Sequence, residues 1–218
     1  MTAPRPSAGR RRAPRDAAHL ETFSDGVFAI AATLLTLDVA VGTFPRGHLL
    51  SGLSHAWPQF LAYGLSFLLI GQIWASHHVM FRWIDDADHV LLLLDVALLG
   101  CIALQPVPTR LVADALRHGS HTDQAVAVAL YSGLLFLGGL FYNAIWRYAA
   151  HADLLRPGLD RRRVRAQSRR YLLGPLVYLI AAGTAFLSVP VALVLDLLLI
   201  AAYLMPSADL TAADRNVP

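Results

Sequence analysis

The residues with the most chemical potential in this chain are ionisable groups set inside apolar runs. The stretch HLETFSDGVFAIAATLLTLDVAV, from His19 to Val41, places Asp25 in an otherwise apolar segment and Asp38 near its far end. A carboxylate at membrane depth is costly and normally faces protein or water with a partner. Asp25 is therefore a functional or assembly candidate on physical grounds, whereas Asp38 is expected to be solvated. A second run carries His77 and His78, followed by Asp85, Asp86, Asp88 and His89, and a third holds Asp95 and the single cysteine, Cys101. An unpaired acid at position 95 would be costly, so Asp95 is expected to be protonated or paired. The His and Asp group has the residue types of a metal site, but adjacent helical histidines point about 100° apart, unlike the i, i+4 pair of HExxH. Glu21 is the only glutamate, so no glutamate base accompanies them. Neither catalysis, a metal nor a cofactor is expected. One cysteine gives no disulfide and no CxxC pair; it reads as a small buried hydrophobe.

These side chains need elements that hold them at depth, and the composition says which. Of 218 residues, 56% are hydrophobic and 15% charged, against roughly 25% charged in soluble domains. Charge collects in an amino-terminal arm, short connections and one central stretch, leaving long runs almost free of it. Six spans are predicted at 19 to 41, 54 to 79, 88 to 108, 123 to 147, 171 to 188 and 190 to 205, each approaching the roughly 17 to 25 residues that cross a bilayer. Pro190 marks a tight connection between the last two, where a re-entrant hairpin is the other option. The fold class expected is an all-α integral membrane protein with six transmembrane helices per subunit. Its parts are a disordered basic arm over residues 1–17, a transmembrane domain over 18–206 and a tail over 207–218. The arm resembles the start of a signal peptide, but Glu21, Asp25 and Asp38 and the lack of a small-residue cleavage site argue that the first span is retained.

All eighteen basic residues are arginines, and cytoplasmic segments near span ends are enriched in them. With the amino terminus inside, six spans leave only Arg46, Arg110 and Arg117 outside, and the other fifteen inside. Both termini are therefore expected to be cytoplasmic. The stretch from Arg147 to Arg170 contains RRRVRAQSRR and reads as a cytoplasmic loop contacting anionic lipid. No aromatic residues interleave its arginines and it is tethered between two spans, which argues against nucleic acid as a partner. Gly133, Gly138 and Gly139 of the fourth span predict close helix contact.

The segment FSDGVFAIAATLL, from Phe23 to Leu35, resembles the first-helix FSD signature of the transmembrane protein 175 family, the lysosomal potassium channel and its bacterial relatives. WPQFLAYGLSFLLIGQIWASHHVMF, from Trp57 to Phe81, is similar to the family's second span, and LLLLDVALLGCIALQPVPTRLV, from Leu91 to Val112, to its third. The likeness covers about half the chain; the later spans agree only in number and hydropathy.

The resemblance implies a homotetramer in a bacterial cell membrane, with the first helix lining a pore for potassium and perhaps other monovalent cations. It implies an apolar constriction in place of the TVGYG carbonyl filter, a motif this sequence also lacks. Carried over by position, the constriction is Ile30, Leu34 and Leu37. Their i, i+4, i+7 spacing puts them on one helical face, while Asp25 lies about 140° away from Ile30 and points toward packing. Thr33 and Thr36 offer hydroxyls that either contact permeant ions or bond back to the carbonyl four residues earlier. Phe23, Ser24 and Asp25 match the trio assigned to assembly and gating, and a pair between His77 or His78 and Asp25 is expected. Two positions depart from the family pattern. His19 replaces an arginine, which makes a fixed charge titratable near neutral pH, and Asp95 replaces an asparagine. The alternative function is a secondary transporter using Asp25, Asp95 and the histidines, but no inverted repeat accompanies them.

Overall fold

The computed structural model describes residues 15–38, 47–157, 159 and 161–204, and all of its regular structure is helical apart from one isolated bridge. The helices are α1 (Arg15–Asp38), α2 (Leu49–His55), α3 (Trp57–Phe81), α4 (His89–Leu104), α5 (Pro106–His118), α6 (His121–His151), α7 (Arg161–Thr184) and α8 (Val189–Leu204). Four helical segments among the described residues are long and apolar enough to cross a membrane: His19–Leu37, Trp57–Phe81, His89–His118 and His121–His151. Val189–Tyr203 is a shorter apolar helix.

Several sequence expectations change at this point. The third span does not stop at residue 108. Pro106 starts α5 at its first position, where its missing N–H costs nothing, and the segment continues to His118. The short α2 was not foreseen. Arg161–Arg170 is not loop but the opening of α7, because Arg, Gln and Ala are good helix formers whatever their hydropathy. Residues 15–17, assigned to a disordered arm, are the first residues of α1. The rest of that arm and the tail over 207–218 lie outside the described residues, as does the side chain of Asp38.

Helix α6 is the central post, packing against α4, α5, α7 and α8, while α1 lies on α3 and α4. Its start is fixed by a reciprocal cap, in which the Ser120 hydroxyl accepts from Asp123 N–H and the Asp123 carboxylate accepts from Ser120 N–H. Asp88, imagined as a metal ligand, instead caps α4 by accepting from Leu91 N–H at 2.9 Å. It also accepts from the Tyr148 hydroxyl of α6 at 2.6 Å. The α3–α4 and α6–α7 connections clasp each other at the same end of the bundle, through Asp85 N–H to Leu154 O at 2.9 Å and Arg156 N–H to Trp83 O at 2.9 Å.

One apolar cluster surrounds Phe28, Met80, Leu91, Leu98, Ile145 and Trp146. Another surrounds Leu69, Val128, Leu135, Tyr178 and Ala192. Cys101 is buried between helices, 3.5 Å from where a Cβ on Gly138 would stand. Two helices approach closely at Gly139, where an added Cβ would lie 2.8 Å from Cγ of Pro175, the proline inside α7. Gly139→Ala is therefore expected to cost about 1 to 3 kcal/mol through overpacking. Thermal melting of the detergent-solubilised protein checks it, with Gly133→Ala, which meets open space, as the comparison.

Candidate functional site

Along α1 one face is committed to the bundle and another is not. Leu20, Ser24, Phe28, Ala31 and Leu35, spaced three and four apart, are buried against α3 and α4. Phe23, Ile30, Leu34 and Leu37 form a stripe exposed by 58%, 61%, 41% and 75%. The sequence arithmetic placed Ile30, Leu34 and Leu37 on one face, and they share that outward stripe. Thr33 is exposed beside them, and its hydroxyl donates to Ile30 O at 2.8 Å, three residues back rather than four. Thr36 is exposed too.

The committed face is held by a ladder of polar contacts. Asp95 of α4 is fully buried and takes both its oxygens into this contact: Oδ1 accepts from His77 Nε2–H of α3 at 2.8 Å, and Oδ2 accepts from the Ser24 hydroxyl of α1 at 2.7 Å. Three helices thus meet at one carboxylate. The Ser24 hydroxyl also lies 2.8 Å from Leu20 O, so its single proton is contested between a backbone carbonyl and the carboxylate. The His77 ring is packed between Phe28, centroids 5.5 Å apart, and Phe81, at 4.3 Å and stacked. Its Nδ1 is buried without a partner.

Asp25 does not meet a histidine. It accepts from the indole Nε1–H of Trp74 at 2.8 Å, because position 25 on α1 faces Trp74, one turn before the histidines on α3. His78 reaches Glu21 instead, with Nδ1 and Oε1 2.7 Å apart but not aligned as a hydrogen bond. Sequence reasoning missed both Trp74 and Glu21 as members of this network. The available signal was spacing, since Glu21, Ser24, Asp25 and Phe28 recur at three- and four-residue intervals that repeat on one side of a helix. His19 is exposed. A groove of about 310 Å³ lies between α1 and α3 and is lined by Asp25, Phe28, Phe67, Ile70 and Trp74, among others.

Chemically, the buried face is an anchor rather than a reaction centre. Asp95 spends both its oxygens, and Asp25 its Oδ1, on helix-to-helix hydrogen bonds, and no group of three His, Cys, Asp or Glu side chains among the described residues is arranged to hold a metal. What is left open is an apolar helix face fixed at a defined rotation.

The family model described as endosomal/lysosomal potassium channel TMEM175 matches residues 19–106, the segment that contains this ladder and stripe. A potassium channel of Streptomyces collinus is 38% identical over 183 residues, covering 82% of this chain and 86% of that protein. A potassium channel of Chamaesiphon minutus is 37% identical over 174 residues, covering 78% and 84%. The crystal structure of a lysosomal potassium-selective channel TMEM175 homolog from Chamaesiphon minutus superposes with a TM-score of 0.77 at 32% identity, over 86% of this chain and 96% of that one.

Proposed function

This chain belongs to the TMEM175 family of potassium channels, and we propose that it conducts potassium through a pore lined by α1 of four identical subunits. It is a channel, not an enzyme. Each subunit crosses the cell membrane six times, with α4 and α5 counted together as one span and both termini cytoplasmic. The observation that carries this reading is the division of α1 into a face tied to its own subunit by Ser24, Asp25 and Phe28 and an unclaimed apolar face bearing Ile30, Leu34 and Leu37. Around a fourfold axis that stripe becomes successive apolar rings. Such rings close a pore by dewetting, and they pass ions when wide enough to leave them hydrated. Thr33 and Thr36 sit beside the rings, where water or ions replace lipid. The Phe23, Ser24 and Asp25 trio acts in assembly, setting the rotation and depth of the lining helix. The transporter alternative loses Asp95, both of whose oxygens are engaged.

Selectivity follows from the absence of a carbonyl filter. An apolar ring separates potassium from sodium only through their hydration, so permeation of the smaller ion is expected to be reduced but measurable. Liposomes loaded with potassium and containing the purified protein test this by counter-ion flux. Potassium flux above protein-free vesicles, with sodium flux lower but detectable, supports the reading; vesicles indistinguishable from protein-free controls overturn it.

A further inference from the structure

One face of α7 changes character along its length while keeping its direction. The helix opens with the arginine-rich stretch Arg161–Arg170, and its rotation there is fixed from the inside. Val164 packs into the apolar cluster around Phe28 and Trp146. The Trp146 indole of α6 donates to Ser168 Oγ at 3.1 Å, and the Asn143 amide donates to Ser168 O at 3.3 Å. Tyr171 is buried and meets the Trp146 ring edge-on, with centroids 5.7 Å apart. Arg165 and Arg169 are consequently turned outward and exposed. Leu172, Leu173, Leu176 and Ile180 follow them at three- and four-residue spacing and are exposed as well, so the six lie on one stripe.

Neither part of the stripe is satisfied within the subunit. Arg165 and Arg169 stand one turn apart, where like charges repel, and neither has an ion pair with an acid among the described residues. The leucines below them are apolar surface that hydrocarbon, not water, should cover. An amphiphile offers an anion and hydrocarbon in that order. Two guanidinium groups at i, i+4 suit one phosphate, which arginine binds through paired N–H donors. The rise from Arg169 to Ile180 is about 16 Å at 1.5 Å per residue. That is about half of a hydrocarbon core of roughly 30 Å, the depth of one leaflet's acyl chains. A nucleic acid or an acidic peptide would use the two arginines and leave the leucines uncovered.

We propose that this stripe binds one anionic phospholipid, with Arg165 and Arg169 holding its phosphate and Leu172, Leu173, Leu176 and Ile180 carrying an acyl chain. The site depends on the membrane crossing of α7 proposed above, and not on conduction. The test compares melting midpoints of the purified full chain in detergent with phosphatidylcholine, phosphatidylglycerol or glycerophosphoglycerol, which is the phosphatidylglycerol headgroup without chains. Phosphatidylglycerol is expected to raise the midpoint by about 3 °C or more over phosphatidylcholine, as a ligand specific to the folded state does, and the headgroup alone should leave it unmoved. Arg165→Gln combined with Arg169→Gln should abolish that rise and leave the midpoint in phosphatidylcholine unchanged, because both side chains are exposed. Arg156→Gln, which removes an exposed arginine outside the stripe, should keep the rise. An equal midpoint in both lipids, a rise with the headgroup alone, or a rise that survives the double substitution would each overturn the site. So would a rise lost equally in Arg156→Gln, which would show diffuse attraction to anionic lipid. Leu173→Trp separates the site from the crossing. In vesicles its added fluorescence should be quenched by chain-brominated phosphatidylcholine, and more strongly by the same content of chain-brominated phosphatidylglycerol. Equal quenching by the two overturns the site alone, and quenching by neither overturns the crossing with it.

Discussion

His77→Ala is expected to be the most damaging single substitution where α1, α3 and α4 meet. It leaves Asp95, which is fully buried, with the Ser24 hydroxyl as its one remaining partner, and that hydroxyl proton is also claimed by Leu20 O. Leaving a buried carboxyl oxygen without its hydrogen-bond partner costs about 1 to 3 kcal/mol, and more where the group is charged. The ring contacts to Phe28 and Phe81 go as well. Since mean stabilities are themselves about 5 to 15 kcal/mol, the variant should be recovered as aggregate or with a melting point many degrees lower. Asp95→Asn is the informative contrast. An amide in the same place accepts from His77 through its oxygen and donates to Ser24 through its nitrogen, which frees the Ser24 proton for Leu20. Every hydrogen bond survives and the charge is gone, so Asp95→Asn should melt within about 1 kcal/mol of wild type or above it. Combining His77→Ala with Asp95→Asn should recover much of the loss. Gel filtration and melting of the four proteins form a double-mutant cycle; if the two histidine variants are equally unstable, the ring's packing rather than its partnership with Asp95 is what matters.

The same neighbourhood shows where sequence reasoning reached and where it ended. Hydropathy located α1, α3, α4 and α6 within a few residues, because a span must be apolar along its whole length. Ile30, Leu34 and Leu37 were named through the family resemblance, and helical spacing added that they share one face; which way that face turns was not legible. The partners of the acids were out of reach. Ser24 and Asp95 are separated by 71 positions, and periodicity within one helix carries no information about which neighbour it meets or at what height. Depth alone suggested Asp25 with a histidine. One turn of vertical offset on α3 replaced that with Trp74. Arg161–Arg170 was misread for a different reason, since hydropathy reports where a segment sits and not whether it is helical.

Leu34 and Leu35 are adjacent in sequence and opposite in consequence, which makes them the sharpest test of the pore reading. Leu34 belongs to the outward stripe, while Leu35 is 1% exposed and packed in the cluster with Phe28 and Ile70. Leu34→Ala removes a bulky apolar group from a surface that the subunit itself does not use, so the fold should be little changed. In the assembled pore the same change occurs once per subunit, widening one ring at every position and lowering the cost of keeping water there. Potassium flux into liposomes should rise on the order of tenfold, which corresponds to about 1.4 kcal/mol off the barrier. Discrimination against sodium should fall with it, because a wider ring strips less of the hydration shell. Leu35→Ala reverses both effects. It opens a cavity in the core at about 2 to 5 kcal/mol, lowering the melting point with no gain in flux per folded protein. Leu37→Ala and Ile30→Ala should follow Leu34, more weakly wherever their ring is not the narrowest. Equal flux from the two adjacent variants, once normalised to folded protein, would mean that α1 turns its stripe toward lipid and that the conduction path runs elsewhere in the assembly.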